Sequence, residues 1–184
     1  IYEGTTLIKQ LPYKIQSCDS AVDFDSQLVY EVSKNKNSYI RFWEADDYAV
    51  VVGFGNKIDL EVDVEFCRSR NVPIVRRSSG GGAVVLGPGC LNYAIAMPVS
   101  FSQELSMIRS TNHFFMKKIC DALSTKVSGL KVDGYTDLVL GNCKISGNAQ
   151  KRRRDAVLFH GTILVDFDLS YMDCLNHPTR EPEY

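Results

Sequence analysis

The chain has 184 residues, 45% of them apolar, with 21 basic and 22 acidic side chains and a formal net charge of −1. That is enough apolar sequence for one domain with a substantial core, and the balanced charge gives no reason to expect general affinity for nucleic acid or membranes. No apolar run of about 18 or more residues and no signal-peptide pattern is read. Six scattered cysteines (Cys18, Cys67, Cys90, Cys120, Cys143, Cys174) lack Cys-x-x-Cys spacing. They read as free thiols of the cytoplasm or an organelle matrix, not as a disulfide framework or zinc site.

In chain order, Asp19 is placed to cap a helix over about 20–35, where Ala21, Val22, Leu28, Val29 and Val32 fall at helical spacing. Two strands follow, 39–43 and 48–52, joined by the polar turn Glu44-Ala45-Asp46-Asp47. A short helix around 62–70 leads into the apolar run Val72-Pro73-Ile74-Val75, and 91–97 is a strand stopped by Pro98. The longest helix is expected over roughly 103–126, with Leu105, Ile108, Phe115, Ile119 and Leu123 inward and Lys117 and Lys118 outward. His113 on that helix reads as packing or exposed, not catalytic. Strands at 138–140, 143–146 and 157–165 complete the pattern. The order is not a regular βαβ alternation, which argues against a doubly wound parallel sheet. The fold class expected is α/β of the α+β type, with a mixed, largely antiparallel sheet and packed helices, all in one domain over 1–184.

The most informative stretch is Arg76-Arg77-Ser78-Ser79-Gly80-Gly81-Gly82-Ala83-Val84-Val85-Leu86, lying between two apolar runs. Each glycine lowers stability by about 0.5–1 kcal/mol relative to alanine, so three in a row need a reason. Bare backbone can approach a ligand closely and offer it N–H groups, and the neighbouring arginines and serines add charge and hydroxyl donors suited to a phosphate or carboxylate. No Gly-Lys-Ser/Thr closes the run and a strand follows it, so neither the P-loop nor the dinucleotide fingerprint applies. The reading is an anion-binding loop between two strands. Downstream, Asp137-Leu138-Val139-Leu140-Gly141-Asn142-Cys143-Lys144-Ile145-Ser146-Gly147-Asn148-Ala149-Gln150 puts a lysine between turns, where it can project an ammonium into a cleft with Ser146 and Gly147 leaving room beside it.

Arg-Arg-x-Ser-Gly-Gly-Gly-Ala-Val, Leu-Asn-Tyr, Asp-Leu-Val, Lys-Ile-Ser-Gly-x-Ala-Gln and His-Gly-Thr-Ile-Leu, in that order from about Ala21 to Asp168, resemble the lipoate–protein ligase family, which is related in fold to biotin–protein ligases and octanoyltransferases. The resemblance implies activation of lipoate or octanoate by ATP to an acyl-adenylate, then transfer to a lysine of a lipoyl-carrier domain, such as a 2-oxoacid dehydrogenase E2 or a glycine-cleavage H protein. Lys144 is then the catalytic lysine, bonding the acyl carbonyl and the adenylate phosphate. Arg77, Ser79, Gly80, Gly81 and Gly82 supply donors to the acyl and phosphate region. Asp137 contacts the adenine end or a metal, and Ser146, Gly147, Ala149, His160, Gly161 and Thr162 complete the adenylate and acyl site. Trp43, Val52, Gly53 and Val84 are candidates for an apolar slot. Mg²⁺ is expected on the ATP phosphates, with no protein ligand identified. A lone sheet with helices on one side suits the resemblance.

Two departures matter. Many ligases carry His-Asp after the glycine loop, where this chain has Leu86-Gly87, and its Gly-Pro-Gly-x-Leu run resembles octanoyltransferases instead. Full ligases also add a small C-terminal domain, expected here to be absent, outside these residues or a separate subunit; the polar tail His177-Pro178-Thr179-Arg180-Glu181-Pro182-Glu183-Tyr184 reads as a connector. The alternatives are an octanoyltransferase working from acyl-carrier protein without ATP, and a non-catalytic homologue that binds lipoate or a lipoyl domain. Transferases need a cysteine nucleophile. The two places where they carry it are Gly134-Tyr135-Thr136-Asp137 and Asn176-His177-Pro178-Thr179 here, and Cys143 and Cys174 are out of register. The basic run Lys151-Arg152-Arg153-Arg154 reads as a solvated hairpin loop, with a mobile phosphate- or carrier-binding lid as the functional alternative.

Overall fold

The computed structural model describes residues 8–176. Two short strands, β1 (Ile8–Gln10) and β2 (Lys14–Gln16), lie parallel to β3 (Ser38–Ala45), with helix α1 (Cys18–Asn35) between β2 and β3. Strand β4 (Ala49–Val52), helices α2 (Ile58–Glu61) and α3 (Val64–Ser69), and strands β5 (Ile74–Arg76), β6 (Val84–Leu86) and β7 (Cys90–Pro98) follow. Helix α4 (Ile108–Ser124) and strands β8 (Leu130–Asp133), β9 (Asp137–Leu140), β10 (Cys143–Arg152) and β11 (Ala156–Leu164) complete the regular elements.

An eight-stranded sheet runs β1-β3-β7-β11-β10-β9-β8, with β2 also on β3, and every pairing from β3 to β8 is antiparallel. Alternation along its central strands decides where the helices go. Ala94 and Ala96 of β7, with Ala156 and Leu158 of β11, pack against Leu28, Val29 and Val32 of α1. The intervening Tyr93, Met97, Val157 and Phe159 pack against Phe115 and Met116 of α4. The two helices therefore cover opposite faces, not one, and the central strands read as near-continuous apolar runs because both faces are buried.

A second sheet, β5-β4-β6, corrects the expectation of a lone one: β4 pairs parallel to β5 and antiparallel to β6. The polar turn after β3 thus carries the chain from one sheet to the other. The glycine loop joins the strands on either side of β4, so it crosses that strand's end.

Helix boundaries depart from the sequence in three places. Helix α1 begins at Cys18 after Ser17, so Asp19 sits in the first turn, where its charge favours the positive helix end, and is not the cap. The helix expected over 62–70 is α3, shortened to Val64–Ser69 because Val62 is extended and bridges Leu175 and Asp63 caps it by accepting from Phe66 N at 2.8 Å; the one-turn helix α2 before Val62 was not expected. The long helix is also broken. Gln103–Ser106 is a 3-10 turn started by Ser102, and Met107 is extended before α4 begins. Leu105 is still fully buried, but Ile108, expected inward, is 62% exposed. The tail 177–184 lies outside the described residues.

Candidate active site

A cavity of about 250 Å³ opens between the glycine loop and the β9–β10 hairpin. Gly81, Gly82, Ala83, Val84 and Arg77 line one side; Asp137, Lys144, Gly147 and Ala149 line the other; His160, Gly161 and Thr162 of β11 lie between them. The two segments singled out in the sequence therefore meet around one space. Trp43 also borders it while 2% exposed, so it is core residue and cavity wall together.

Arg77 both borders the cavity and anchors the loop it belongs to. Only 7% exposed, it turns inward and fixes the loop from below. Its guanidinium donates to Gly80 O (2.7 Å), Gly82 O (2.8 Å), Val51 O (3.1 Å) and Ser79 Oγ (3.0 Å). Four of the five guanidinium N–H groups are thereby engaged, and the loop's carbonyls are drawn away from a ligand. Ser79, 1% exposed, lies behind the wall, its Oγ 2.7 Å from His160 Nε2. Ser79 Oγ thus accepts from Arg77 Nε and also hydrogen-bonds His160 Nε2, the tautomer of the imidazole setting which of the two donates. Burial, and secondarily the Arg77 charge, hold His160 down to about 3, so the imidazole is neutral. Gly80 is exposed and, with Ser79, lies outside the lining. Gly53 is likewise not pocket wall: a Cβ there would sit 1.9 Å from Gly81 O, so its bareness lets the loop lie against β4's end. Val52 packs in the core beneath the second sheet.

Lys144 is placed by an irregularity. Register in the β9–β10 pair shifts between Lys144 and Ser146, a bulge that re-aims the strand. The lysine stem runs over Gly147, where a Cβ would touch Cε at 3.4 Å, and Nζ lies 2.8 Å from Asp137 Oδ2. Its side chain is 45% exposed and that of Asp137 16%, which leaves the ammonium open to a ligand. Ser146, 1% exposed, is outside the lining and serves Asn148 instead.

Asn148 was not singled out in the sequence. Tyr93, Gly161 and Asn148 form one cross-strand row on β7, β11 and β10. Tyr93 OH donates to Asn148 Oδ1, and Asn148 Nδ2 donates to Thr136 O (2.7 Å) and Ser146 Oγ (3.1 Å). A Cβ on Gly161 would fall 1.7 Å from Asn148 Oδ1, so this glycine makes room for the bridge. The amide thereby pins the turn that presents Asp137 to the central sheet.

Asp25 is the other residue missed. It interrupts the apolar stripe of α1, and that interruption was the available signal. Only 2% exposed, it accepts from Arg41 Nη1 (2.5 Å) and Trp43 Nε1 (3.0 Å), and it borders the cavity. Burial pushes its carboxyl up to about 6 against the opposing pull of Arg41.

No cysteine lines the cavity. Burial pushes Cys18, Cys90 and Cys174 up to about 12, away from the thiolate form, while Cys143 is exposed at the start of β10. The basic run is anchored. Lys151 and Arg152 belong to β10, and Arg152 donates to Leu105 O (2.6 Å) and Thr111 Oγ1 (2.9 Å). Arg153 stands over the Tyr30 ring at 4.4 Å. Arg153 and Arg154 are exposed in the turn between β10 and β11, as the solvated-loop reading expected, while Lys151 and Arg152 belong to the strand and not to the loop.

Comparison with known proteins places this geometry. Lipoate-protein ligase A subunit 1 of Thermoplasma acidophilum is 25% identical over 179 residues, covering 94% of this chain and 67% of that relative. Octanoyltransferase LipM of Clostridioides difficile is also 25% identical, over 89% of this chain and 66% of its own. The chain spans as little as 37% of another curated relative. The fold matches a lipoate-protein ligase A bound with ATP (TM-score 0.81, 23% identity, 94% of this chain and 72% of that one). It also matches a bipartite lipoate protein ligase solved with its E2 lipoyl domain from Thermoplasma acidophilum (TM-score 0.76, 23% identity, 92% and 66%). The model of the lipoyl protein ligase A/B catalytic domain matches residues 18–183, and the chain belongs to that family.

Proposed function

We propose that this domain is an ATP-dependent lipoate–protein ligase: it activates lipoate or octanoate to the acyl-adenylate and passes the acyl group to a lysine of a lipoyl-carrier domain. The observation that carries this is the convergence of the Lys144 ammonium and the glycine loop on one cavity with apolar wall residues. A cavity of about 250 Å³ suits a medium-chain acyl group with its carboxylate toward the polar end.

In the first step a carboxylate oxygen attacks the α-phosphorus and pyrophosphate leaves. Two anions must approach, and Lys144 offsets their repulsion while the loop, held rigid by Arg77, excludes water and fixes orientation. In the second step the acceptor amine attacks the acyl carbonyl and AMP leaves; Lys144 Nζ stabilises the developing oxyanion. His160 stays neutral and acts as loop support, not as a base. Among the described residues no group of three His, Cys, Asp or Glu side chains is arranged to hold a metal. Mg²⁺ carried on ATP phosphates needs only one or two carboxylates; Asp137 would hold it, and the ion would supply charge neutralisation at the phosphates.

The ligase named subunit 1 and the bipartite structure support a further proposal: an accessory domain or second polypeptide completes the enzyme, and an E2 or H-protein lipoyl domain is the acceptor. No helix among the described residues is long and apolar enough to cross a membrane. The relative named octanoyltransferase favours a second reading, acyl transfer through a cysteine, but the thiol nearest Lys144 in sequence, Cys143, does not line the cavity. Incubation with lipoate, Mg-ATP and a lipoyl-carrier domain, read by intact mass, decides between them. The ligase reading expects acylated carrier only with ATP. A chain acylated on cysteine by octanoyl-carrier protein without ATP establishes the transferase, and lipoate binding with neither reaction establishes the binding homologue.

A further inference from the structure

Glu61, at the end of the four-residue helix α2, lies outside the cavity, yet its carboxylate holds the loop that forms it. Oε2 accepts from Ala83 N at 2.5 Å, where the glycine loop enters β6. Oε1 accepts from Asn56 Nδ2 at 2.6 Å, and the same Nδ2 reaches Gly81 O at 3.1 Å. A Cβ added to Gly82 would meet Oε2 at 3.3 Å. Glu61 also supplies the negative field that acts on the buried Arg77. The loop is thus gripped from two sides, its carbonyls by Arg77 and its exit N–H by Glu61.

The backbone of α2 is in turn bound to the last described segment of the chain. Asn176 N donates to Glu61 O at 3.1 Å, Asp63 N donates to Cys174 O at 2.9 Å, Asn176 Nδ2 donates to Asp59 O at 3.3 Å, and Val62 bridges Leu175. Segment 174–176 therefore holds the helix that holds the loop.

We infer that Glu61 is a positioning residue that couples segment 174–176 to the glycine loop, so that whatever displaces that segment changes the setting of the ligand-binding backbone. A neutral amide cannot replace it. Asn56 Nδ2 and Ala83 N are both donors, and glutamine offers one acceptor and one donor, so Glu61→Gln sets a donor against a donor at unchanged size. The coupling itself is cut by Asn176→Pro, which removes the N–H given to Glu61 O. Leu175 has φ −102° and ψ 136°, the extended setting that a following proline requires.

Amide hydrogen exchange of the peptide containing Gly81, Gly82 and Ala83 tests this without any turnover. Both variants should exchange there at least tenfold faster than the parent, with the central strands unchanged. The double variant should be no faster than Glu61→Gln alone, because both changes act on one path. Unchanged loop exchange in Glu61→Gln overturns the grip, and unchanged exchange in Asn176→Pro, or additive effects, overturns the coupling. Should Glu61→Gln accelerate exchange globally, Asn56→Ala, which removes one arm of the clamp, carries the same expectation. A second readout rests on the ligase reading: the KM for ATP should rise more than kcat falls in each single variant. A parent chain that releases no pyrophosphate counts against that reading alone, since the exchange result stands by itself; a fall in kcat with unchanged KM counts against Glu61 as a positioning residue.

Discussion

Protonation of His160 should set how this domain loses stability in mild acid. In the native state burial and Arg77 hold the imidazole to about 3, whereas an unfolded histidine titrates near its ordinary 6.5. As pH falls below 6.5 the unfolded chain takes up a proton that the native chain refuses until about pH 3. The stability contribution is therefore complete above pH 6.5 and is lost as pH drops through that window. Linkage for one such group gives a loss of about 2 kcal/mol between pH 7.5 and pH 5, against a domain stability of about 5–15 kcal/mol. Urea titrations across this range can be followed by the fluorescence of Trp43, the only tryptophan and itself a wall of the cavity. His160→Gln keeps a polar group near Ser79 Oγ but cannot titrate, so the parent should lose about 2 kcal/mol more than the variant over that pH range. Carboxylates common to both cancel in the difference. Parallel stability–pH curves for the two proteins would refute a native His160 held neutral.

Three further outcomes follow from the packing. Arg41→Met strands the Asp25 carboxylate and should destabilise by about 3–5 kcal/mol; Asp25→Leu added to it should recover part of the loss in urea titration, and an additive double variant would contradict the pairing. Gly53→Ala drives a Cβ to 1.9 Å from Gly81 O, which must shift the loop and should lower lipoate-dependent pyrophosphate release by ~100-fold, as misplacement by about 1 Å does elsewhere; near-parent turnover would show that the loop's seat on β4 is unimportant. Gly161→Ala should break the Tyr93–Asn148 bridge and lower melting temperature and turnover together. Asn148→Ala removes the obstructing amide but leaves Gly147 O at 2.9 Å from the new Cβ, so the double variant should recover part of the melting temperature while turnover stays low, and restored turnover would deny Asn148 a part in placing Asp137.

Much of the site was legible in the sequence because its chemistry is local. Three adjacent glycines and a Lys-Ile-Ser-Gly run announce close backbone approach and a projected ammonium without reference to the rest of the fold. The direction in which a side chain points was not legible. Arg77 reads as an anion ligand, yet four of its N–H groups hold its own loop and Val51 O: three acceptors lie within five residues of it, and only the way the loop folds over the end of β4 turns the guanidinium toward them. Asn148 acquires its role from a row of three strands whose register no single segment encodes. The two-faced main sheet was hidden for a related reason: Ala94 and Tyr93 are both apolar, so alternation does not show as apolar against polar. Asp25 was legible in principle, since a carboxylate on an apolar helix stripe requires a buried partner, and Arg41 between Tyr39 and Trp43 on one face of β3 supplies it.

The central claim is that the Lys144 ammonium and the triglycine turn act on one acyl-phosphate centre. Lipoate-dependent exchange of pyrophosphate into ATP, measured for the parent and for Lys144→Met, tests it most directly. The account predicts exchange by the parent that requires lipoate, and a loss of at least ~100-fold in the variant, with the folded state intact by Trp43 fluorescence. Undiminished exchange in Lys144→Met would contradict it.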